Sequence, residues 1–291
     1  MGILVDRETT INILVTLNSN YVRQLVVLLI SLLRSNPGTS FIVYVAHSSM
    51  TEQDFTFIHR HINTPKCSIV RIRIPDHLLS DAPVTRRYPK EMYYRIFAAQ
   101  FLPRELDRIL YLDPDIVVIN SISALYDLDF QGYLFAAASH IYEPLEKLNR
   151  IRLNMPENST YVNSGVLLLN LSLLRREQDM SEIFNYMRTY KNRLFLPDQD
   201  VLNGVYGKRI LTVDPKIYNL SERYYFLHNL HPKHKDCKIN LDWVHRNTAI
   251  IHYCGKNKPW HDNYKGELGV FYQRYAQSVL DHQSVAQELA K

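Results

Sequence analysis

Apolar residues fall in short dense runs separated by polar breaks. Residues 11–17 (INILVTL) are β-branched and nearly continuous, the pattern of a strand buried on both faces. Asn18-Ser19-Asn20 behind it is a helix-capping cluster. The spacing then predicts a helix from Tyr21 to about Arg34, ended by Asn36-Pro37-Gly38. A second buried-type strand is expected over 41–46 (FIVYVA), a second helix over 51–61 and a third, alternating strand over 68–74 (SIVRIRI). This βαβαβ order predicts an α/β fold whose mainly parallel sheet is flanked by helices, with ligands beyond the C-terminal ends of the strands.

Farther on, 91–101 (EMYYRIFAAQF) has a helical period and 108–112 (RILYL) reads as a strand ending at Asp113. Strands are also predicted at 133–138, 162–169 and 249–252, and helices near 181–193 and 198–205. Over 267–290, Leu268, Phe271, Tyr272, Tyr275, Val279 and Leu280 recur at helical spacing. No internal repeat, low-complexity linker or shift in composition divides the chain. The expectation is one catalytic domain over 1–261 and a helical extension over 262–291.

Composition narrows the class. A 291-residue chain with 46% apolar and 22% charged residues can bury a sizeable core, which excludes a disordered protein. Its +5 net charge suits phosphate-bearing ligands without being a nucleic-acid signature. Three widely spaced cysteines give no disulfide framework or zinc pattern, so a reducing compartment is the simplest reading. The longest apolar run, 25–33, is interrupted by Ser31 and far short of the roughly 18–20 residues that span a bilayer. The first ten residues carry no secretory pattern. The chain is therefore expected in the cytoplasm, with peripheral membrane contact and oligomerisation left open; sequons at Asn158, Asn170 and Asn219 then carry little weight.

The chemistry-bearing candidates lie at strand ends. Asp113-Pro114-Asp115 puts two carboxylates one residue apart where such sheets bind ligands, and hard divalent cations need oxygen donors of this kind. Taken alone, the tripeptide reads equally well as a turn. Three further segments, 161–170 (YVNSGVLLLN), 196–204 (LPDQDVLNG) and 251–260 (IHYCGKNKPW), combine element ends with small residues, amides and ionisable groups. In the last, His252 can ligate a metal, Gly255 allows close backbone approach and Lys258 can neutralise phosphate.

Read in order, ILVTLNSNY, MYYRIF, LYLDPDIVV, YVNSGVLLLNL, DQDVLNG and HYCGKNKPW resemble glycosyltransferase family 8, whose retaining enzymes include bacterial lipooligosaccharide galactosyltransferases and glycogenin. The resemblance covers most of the chain. It implies a Rossmann-like nucleotide-sugar-binding domain of the GT-A type, a DxD motif with Mn²⁺ or Mg²⁺, a UDP-galactose or UDP-glucose donor and a glycan, glycolipid or glycoprotein acceptor. Biosynthesis of lipopolysaccharide or another cell-surface glycan is the implied setting. By position, Asp113, Asp115 and His252 match the metal ligands. Thr16, Asn18, Asn20 and Tyr21 match the uridine-holding turn. Arg95 matches a donor contact, and Asn163 with Ser164 the pair lining the sugar pocket. Asp198 and Gln199 match the acidic residue and glutamine under the transferred sugar, taken as the catalytic pair, and Gly255 with Lys258 the diphosphate turn.

Three departures stand out. Asn18 replaces the family's common base-reading aspartate, Pro114 stiffens the centre of the metal motif, and Ser164 adds a hydroxyl where alanine is common. Because a glutamine is a poor nucleophile, front-face attack with the leaving phosphate taking the acceptor proton is preferred over a double displacement. Asp198 and Asp200 are the carboxylates near the sugar. A sugar nucleotidyltransferase would want a Gly-rich phosphate loop that LNSNY lacks, and a non-catalytic sugar-nucleotide-binding protein is the remaining alternative. The loop HPKHKDCK has too few ligands for a metal site, Arg86-Arg87 and Arg175-Arg176 are read as solvated, and 76–90 and 142–158 as acceptor-contacting loops.

Overall fold

The computed structural model describes residues 9–74, 90–140, 143–235 and 237–288. The first half alternates as expected, with β1 (Thr9–Thr16), α1 (Val22–Ser35), β2 (Thr39–His47), α2 (Glu52–His61) and β3 (Cys67–Arg73). A 3₁₀ turn, Lys90–Arg95, and the short α3 (Ala98–Phe101) lead to β4 (Arg108–Leu112) and β5 (Ile116–Val118). Next come α4 (Ser123–Tyr126), β6 (Phe135–Ala138), α5 (Glu143–Arg152), β7 (Val166–Asn170) and α6 (Leu171–Glu177). They are followed by α7 (Met180–Tyr190), α8 (Pro197–Tyr206), β8 (Ile210–Val213), α9 (Pro215–Tyr218) and α10 (Glu222–Leu230). The chain ends with α11 (Leu241–Asn247), β9 (Ile250–His252) and α12 (Gly269–Glu288).

Seven strands form one sheet in the order β3-β2-β1-β4-β7-β6-β8, and β5 pairs with β9 in a separate antiparallel ribbon. All neighbours in the large sheet are parallel except those of β7, which runs against both β4 and β6. The fold is therefore α/β with a mainly parallel sheet. Strand order reverses beside β1 and β4, so their C-terminal ends splay apart and leave a crevice there. Thr16 ends β1 and Asp113 follows β4, which puts both at that crevice.

Both faces of the sheet are covered. Ile11, Ile13 and Val15 of β1 join α1 and α12 in one buried cluster, while Leu14 faces a second cluster with Tyr93, Phe97 and Tyr111. Within α12, Phe271, Tyr272, Tyr275 and Val279 belong to the first cluster, so the C-terminal stripe docks on the chain itself. The side chain of Leu280 lies outside the described residues.

Several expectations are corrected. Residues 91–101 form a 3₁₀ turn and a separate short helix, because Tyr93 and Tyr94 must enter the core while their neighbour Arg95 turns toward Asp113. Of the expected 162–169 strand only 166–169 pairs in the sheet, as part of β7; Asn163 and Ser164 leave it to bond Gln199 and Asp198. The supposed loop over 142–158 contains α5. Arg175 is not a solvated cation: its guanidinium donates to the carbonyls of Pro103, Arg104 and Leu106 and closes that loop, whereas Arg176 is exposed. Arg86-Arg87, and all of 76–90 but Lys90, lie outside the described residues. His234 of HPKHKDCK stacks at 4.0 Å on His228 of α10, and among the described residues that loop is not one of the groups able to hold a metal.

Phe271 is 7% exposed, so Phe271→Ala removes a ring from the junction of α12 with the core. Unfolding by urea should show a loss of about 3 kcal/mol, as buried aromatic truncations do.

Candidate active site

The site is assembled where β4 ends. Asp113, Pro114 and Asp115 form the link from β4 to the β5–β9 ribbon, and β9 returns His252 to the same point. His252 Nε2 lies 3.6 Å from Asp113 Oδ2 and 3.2 Å from Asp115 Oδ1. Among the described residues, these three are the one group of ligating side chains close enough to share a cation, with their ligand atoms all within 4.8 Å. Two carboxylates and an imidazole are a donor set that Mn²⁺ accepts readily and Mg²⁺ less so.

The imidazole is oriented from behind. His252 Nδ1 donates to Asn219 Oδ1 at 3.0 Å, which turns Nε2 toward the carboxylates. Asn219 is fully buried, and its Nδ2 donates to Asn163 Oδ1 at 3.1 Å; Asn163 Nδ2 in turn donates to Gln199 Oε1 at 3.1 Å. Three amides thus run in series from the candidate metal ligand to the candidate catalytic glutamine. Gly165 makes the approach possible: a Cβ there would stand 2.2 Å from His252 Cε1 and 2.7 Å from Asp113 Oδ2.

Charge is balanced by burial of opposite partners. Arg95 reaches Asp113 Oδ1 at 2.9 Å and Asp198 Oδ2 at 3.4 Å, and also donates to the Ser164 carbonyl at 2.8 Å. Burial disfavours its charge, but Asp113 and the other partners outweigh that and hold the guanidinium ionised. Burial likewise raises the Asp115 carboxyl, yet His252 and Lys258 overcome it and keep Asp115 well below the usual carboxylate range. Lys258 pairs directly with Asp115 and donates to the Tyr253 carbonyl at 2.9 Å. Asp198 differs: burial pushes its pKa up, with Asp113 adding to the rise and Arg95 and the Ser164 hydroxyl (3.0 Å) opposing it.

Two cavities meet at the Asp113–Asp115 edge. One, about 210 Å³, is walled by Thr16, Asn18, Tyr21, Arg95, Asp113 and Pro114. The other, about 550 Å³, carries Asn163, Ser164, Asp198, Gln199, His252 and Gly255 on its walls. Gly255 has φ +89° in open space, so its turn needs glycine for conformation and not for room. Asn20 lines neither cavity; its side chain is exposed and its N–H donates to Asn18 Oδ1 at 3.1 Å. Asp200 does not reach the cavity: Arg152 grips both its oxygens, and Tyr161 O–H and the Phe195 and Leu196 amides also bond it. It anchors the start of α8.

With that geometry in view, comparison with known proteins decides the family. The family model described as glycosyl transferase family 8 matches residues 12–264. The chain belongs to glycosyltransferase family 8. A lipopolysaccharide 1,2-glucosyltransferase of Escherichia coli K12 is 29% identical over 261 residues, 88% of this chain and 75% of that one. A lipopolysaccharide 1,3-galactosyltransferase of Salmonella typhimurium is 28% identical over 255 residues, 86% of this chain and 73% of that one. The crystal structure of the galactosyltransferase LgtC with donor and acceptor sugar analogues superposes with a TM-score of 0.76 at 22% identity, covering 92% of this chain and 96% of that one, and so shares the GT-A fold.

Sequence reasoning missed four site residues of this family 8 chain. Asn219 stood out only as a sequon, Gly165 only as a small residue in a motif, and Tyr161 only as the first letter of one. His140 was not singled out; its Nε2 faces the Asn219 carbonyl and its ring lies 6.4 Å from that of His252. Burial, then the neighbouring His252, pulls the His140 imidazole down to about 4.

Two outcomes are expected. Gly165→Ala and Asn219→Leu should each weaken Mn²⁺ binding by about 10–100-fold in calorimetric titration, because both displace the imidazole. For the metal-free protein, the lowered His140 pKa means that its contribution to stability is complete above the unfolded value of about 6.5 and is lost as pH falls toward 4. Thermal melts of His140→Gln across that window should therefore fall less steeply than those of the parent.

Proposed function

We propose that the chain moves galactose or glucose, with retention of anomeric configuration, from a UDP donor to a hydroxyl of a glycan acceptor. We place this reaction in the cytoplasm and assign it to residues 1–261, with 262–291 serving as a packing element. One observation carries the reading: the Asp113–Asp115–His252 cluster sits at the topological crevice between a small cavity and a larger one bearing Asp198 and Gln199. The smaller cavity suits the uridine, read by Thr16, Asn18 and Tyr21, and the larger one the hexose and acceptor.

A divalent cation held by Asp113, Asp115 and His252 would stabilise the negative charge that grows on the UDP leaving group. Lys258 adds a second positive charge at the same edge, and the Gly255 turn lets backbone approach the diphosphate. Arg95, paired with Asp113 Oδ1 at 2.9 Å, fixes the direction of that carboxylate. Under the sugar, the Gln199 amide can hydrogen-bond hydroxyls but has no useful basicity or nucleophilicity. Asp198 is engaged by Arg95 and Ser164, and Asp200 is sealed by Arg152 and Tyr161. With both carboxylates occupied, front-face attack with the leaving phosphate oxygen accepting the acceptor's proton is the favoured route, and Asp198 supplies negative charge near the ring.

The test is UDP release from UDP-galactose and UDP-glucose with a panel of glycan acceptors, with and without Mn²⁺. Release should depend on the cation and vanish with EDTA. Gln199→Ala should cut kcat at least about tenfold while UDP affinity holds, as expected of a group acting on the sugar in the transition state. Absence of metal-stimulated turnover would sink the proposal, and tight UDP binding without turnover would point to the binding protein.

A further inference from the structure

Among the described residues, eight large apolar side chains are exposed, and seven of them sit on segments that border the 550 Å³ cavity. Leu145, Leu148 and Ile151 are on α5, with Phe195 and Leu196 just before α8. Phe226 and Leu230 are on α10. Only Val270 lies elsewhere. Scattered surface apolar residues need no explanation, but a concentration around one opening does.

The helix α5 is inside out. Three of its polar residues bond inward, while Lys147 is exposed: Arg152 grips Asp200 at 2.8 Å, Asn149 accepts from Arg152 at 2.8 Å and Glu146 accepts the Tyr161 amide at 3.3 Å. Its apolar residues face solvent, with Leu148 62% and Ile151 66% exposed. Phe195 joins them, since the Arg152 guanidinium lies 4.4 Å from its ring centroid. On α10, Arg223, Phe226 and Leu230 follow at i, i+3 and i+7 and form one stripe.

Charge selects the occupant. The stretches 143–152, 191–196 and 222–235 contain eight Lys or Arg against three acids; Glu146 and Glu222 bond inward to the Tyr161 amide and the Tyr264 hydroxyl, and of the described cations only Arg152 is tied to an acid of the core, Asp200. A second copy docked by a two-fold axis would set these cations against each other. An anionic lipid surface satisfies both features, because apolar side chains enter the headgroup boundary while Lys and Arg meet lipid phosphates. No described helix is long and apolar enough to cross a membrane, so contact through this face would be peripheral.

We propose that the rim formed by α5, the 191–196 segment and α10 docks on an anionic bilayer, so that the larger cavity opens onto the membrane. Its consequence, that the acceptor glycan is lipid-anchored, rests on the transferase reading above; the docking itself does not.

Vesicle sedimentation tests it with the full chain. Phosphatidylglycerol–phosphatidylethanolamine vesicles should sediment the protein and phosphatidylcholine vesicles should not, with binding lost as salt rises. Leu148→Ser/Ile151→Ser, Phe226→Ser/Leu230→Ser and Lys147→Glu/Lys191→Glu should each weaken binding at least about fivefold. Val270→Ser should leave it unchanged. Equal binding to both vesicle types, no binding, or a loss with Val270→Ser matching that of the rim variants would overturn the proposal. So would a solution dimer dissociated by Leu148→Ser/Ile151→Ser, which would make the face a contact between copies. Sedimentation needs no turnover, so vesicle binding without UDP release would leave the docking standing and fail only the transferase reading.

Discussion

A guanidinium buried to 4% exposure between two carboxylates is the interaction on which the site depends. A buried charge is tolerated only when it is paired and hydrogen-bonded, and removing one partner strands the others. Arg95 belongs to the 3₁₀ turn, Asp113 to the end of β4, Asp198 to the first turn of α8, and the Ser164 carbonyl to the link before β7. Four separate chain segments are therefore held at one point by one side chain. The Arg95 guanidinium also lies 4.4 Å from the centroid of the buried Tyr111 ring, so its position is set by the core as well as by charge. The precision needed to aim two acids at one cation comes from the sheet.

The amide series Asn219–Asn163–Gln199 extends that control across the crevice. An amide that accepts through its oxygen and donates through its nitrogen transmits direction: once His252 Nδ1 donates to Asn219, each following amide has only one satisfying orientation. The tautomer of the imidazole and the facing of the glutamine are thereby coupled without contact between them. Gly165 N–H and Ser164 N–H, at 3.0 and 3.3 Å, reinforce the same two acceptors, Asn163 Oδ1 and Gln199 Oε1.

Much of this was legible in the sequence because it is local. The runs over 11–17, 41–46 and 108–112 carry their own burial signal, and Asp113-Pro114-Asp115 shows two neighbouring carboxylates, although alone it reads as a turn and only the company of the other motifs points to a metal. The central strands emerged at the expected places, and Asp113, Asp115 and His252, the candidate metal ligands, lie together. What escaped is non-local. Three residues, Ile116–Val118, are too short to show a period, and they become a strand only because β9 pairs with them. Asn219 looks like any loop asparagine until the fold buries it against His252, 33 residues away. Asp200 looked equivalent to Asp198 two positions earlier, yet half a helical turn sends one into the cavity and the other to Arg152.

The two halves of the crevice consequently obey different rules. On the side of the carboxylate pair, Thr16, Arg95, Asp115 and His252 are buried and tied to the sheet, so a change at any one of them is felt by the core. On the far side, Leu145, Phe195 and Arg223 are exposed and come from short helices and a loop, where a substitution disturbs little beyond itself. A fold built this way can keep the carboxylate edge fixed while its opposite wall is rewritten. The Asp200 clamp makes that separation physical: it ties α5 to α8 through Arg152, so the exposed wall is anchored one residue beyond the glutamine, and not through it.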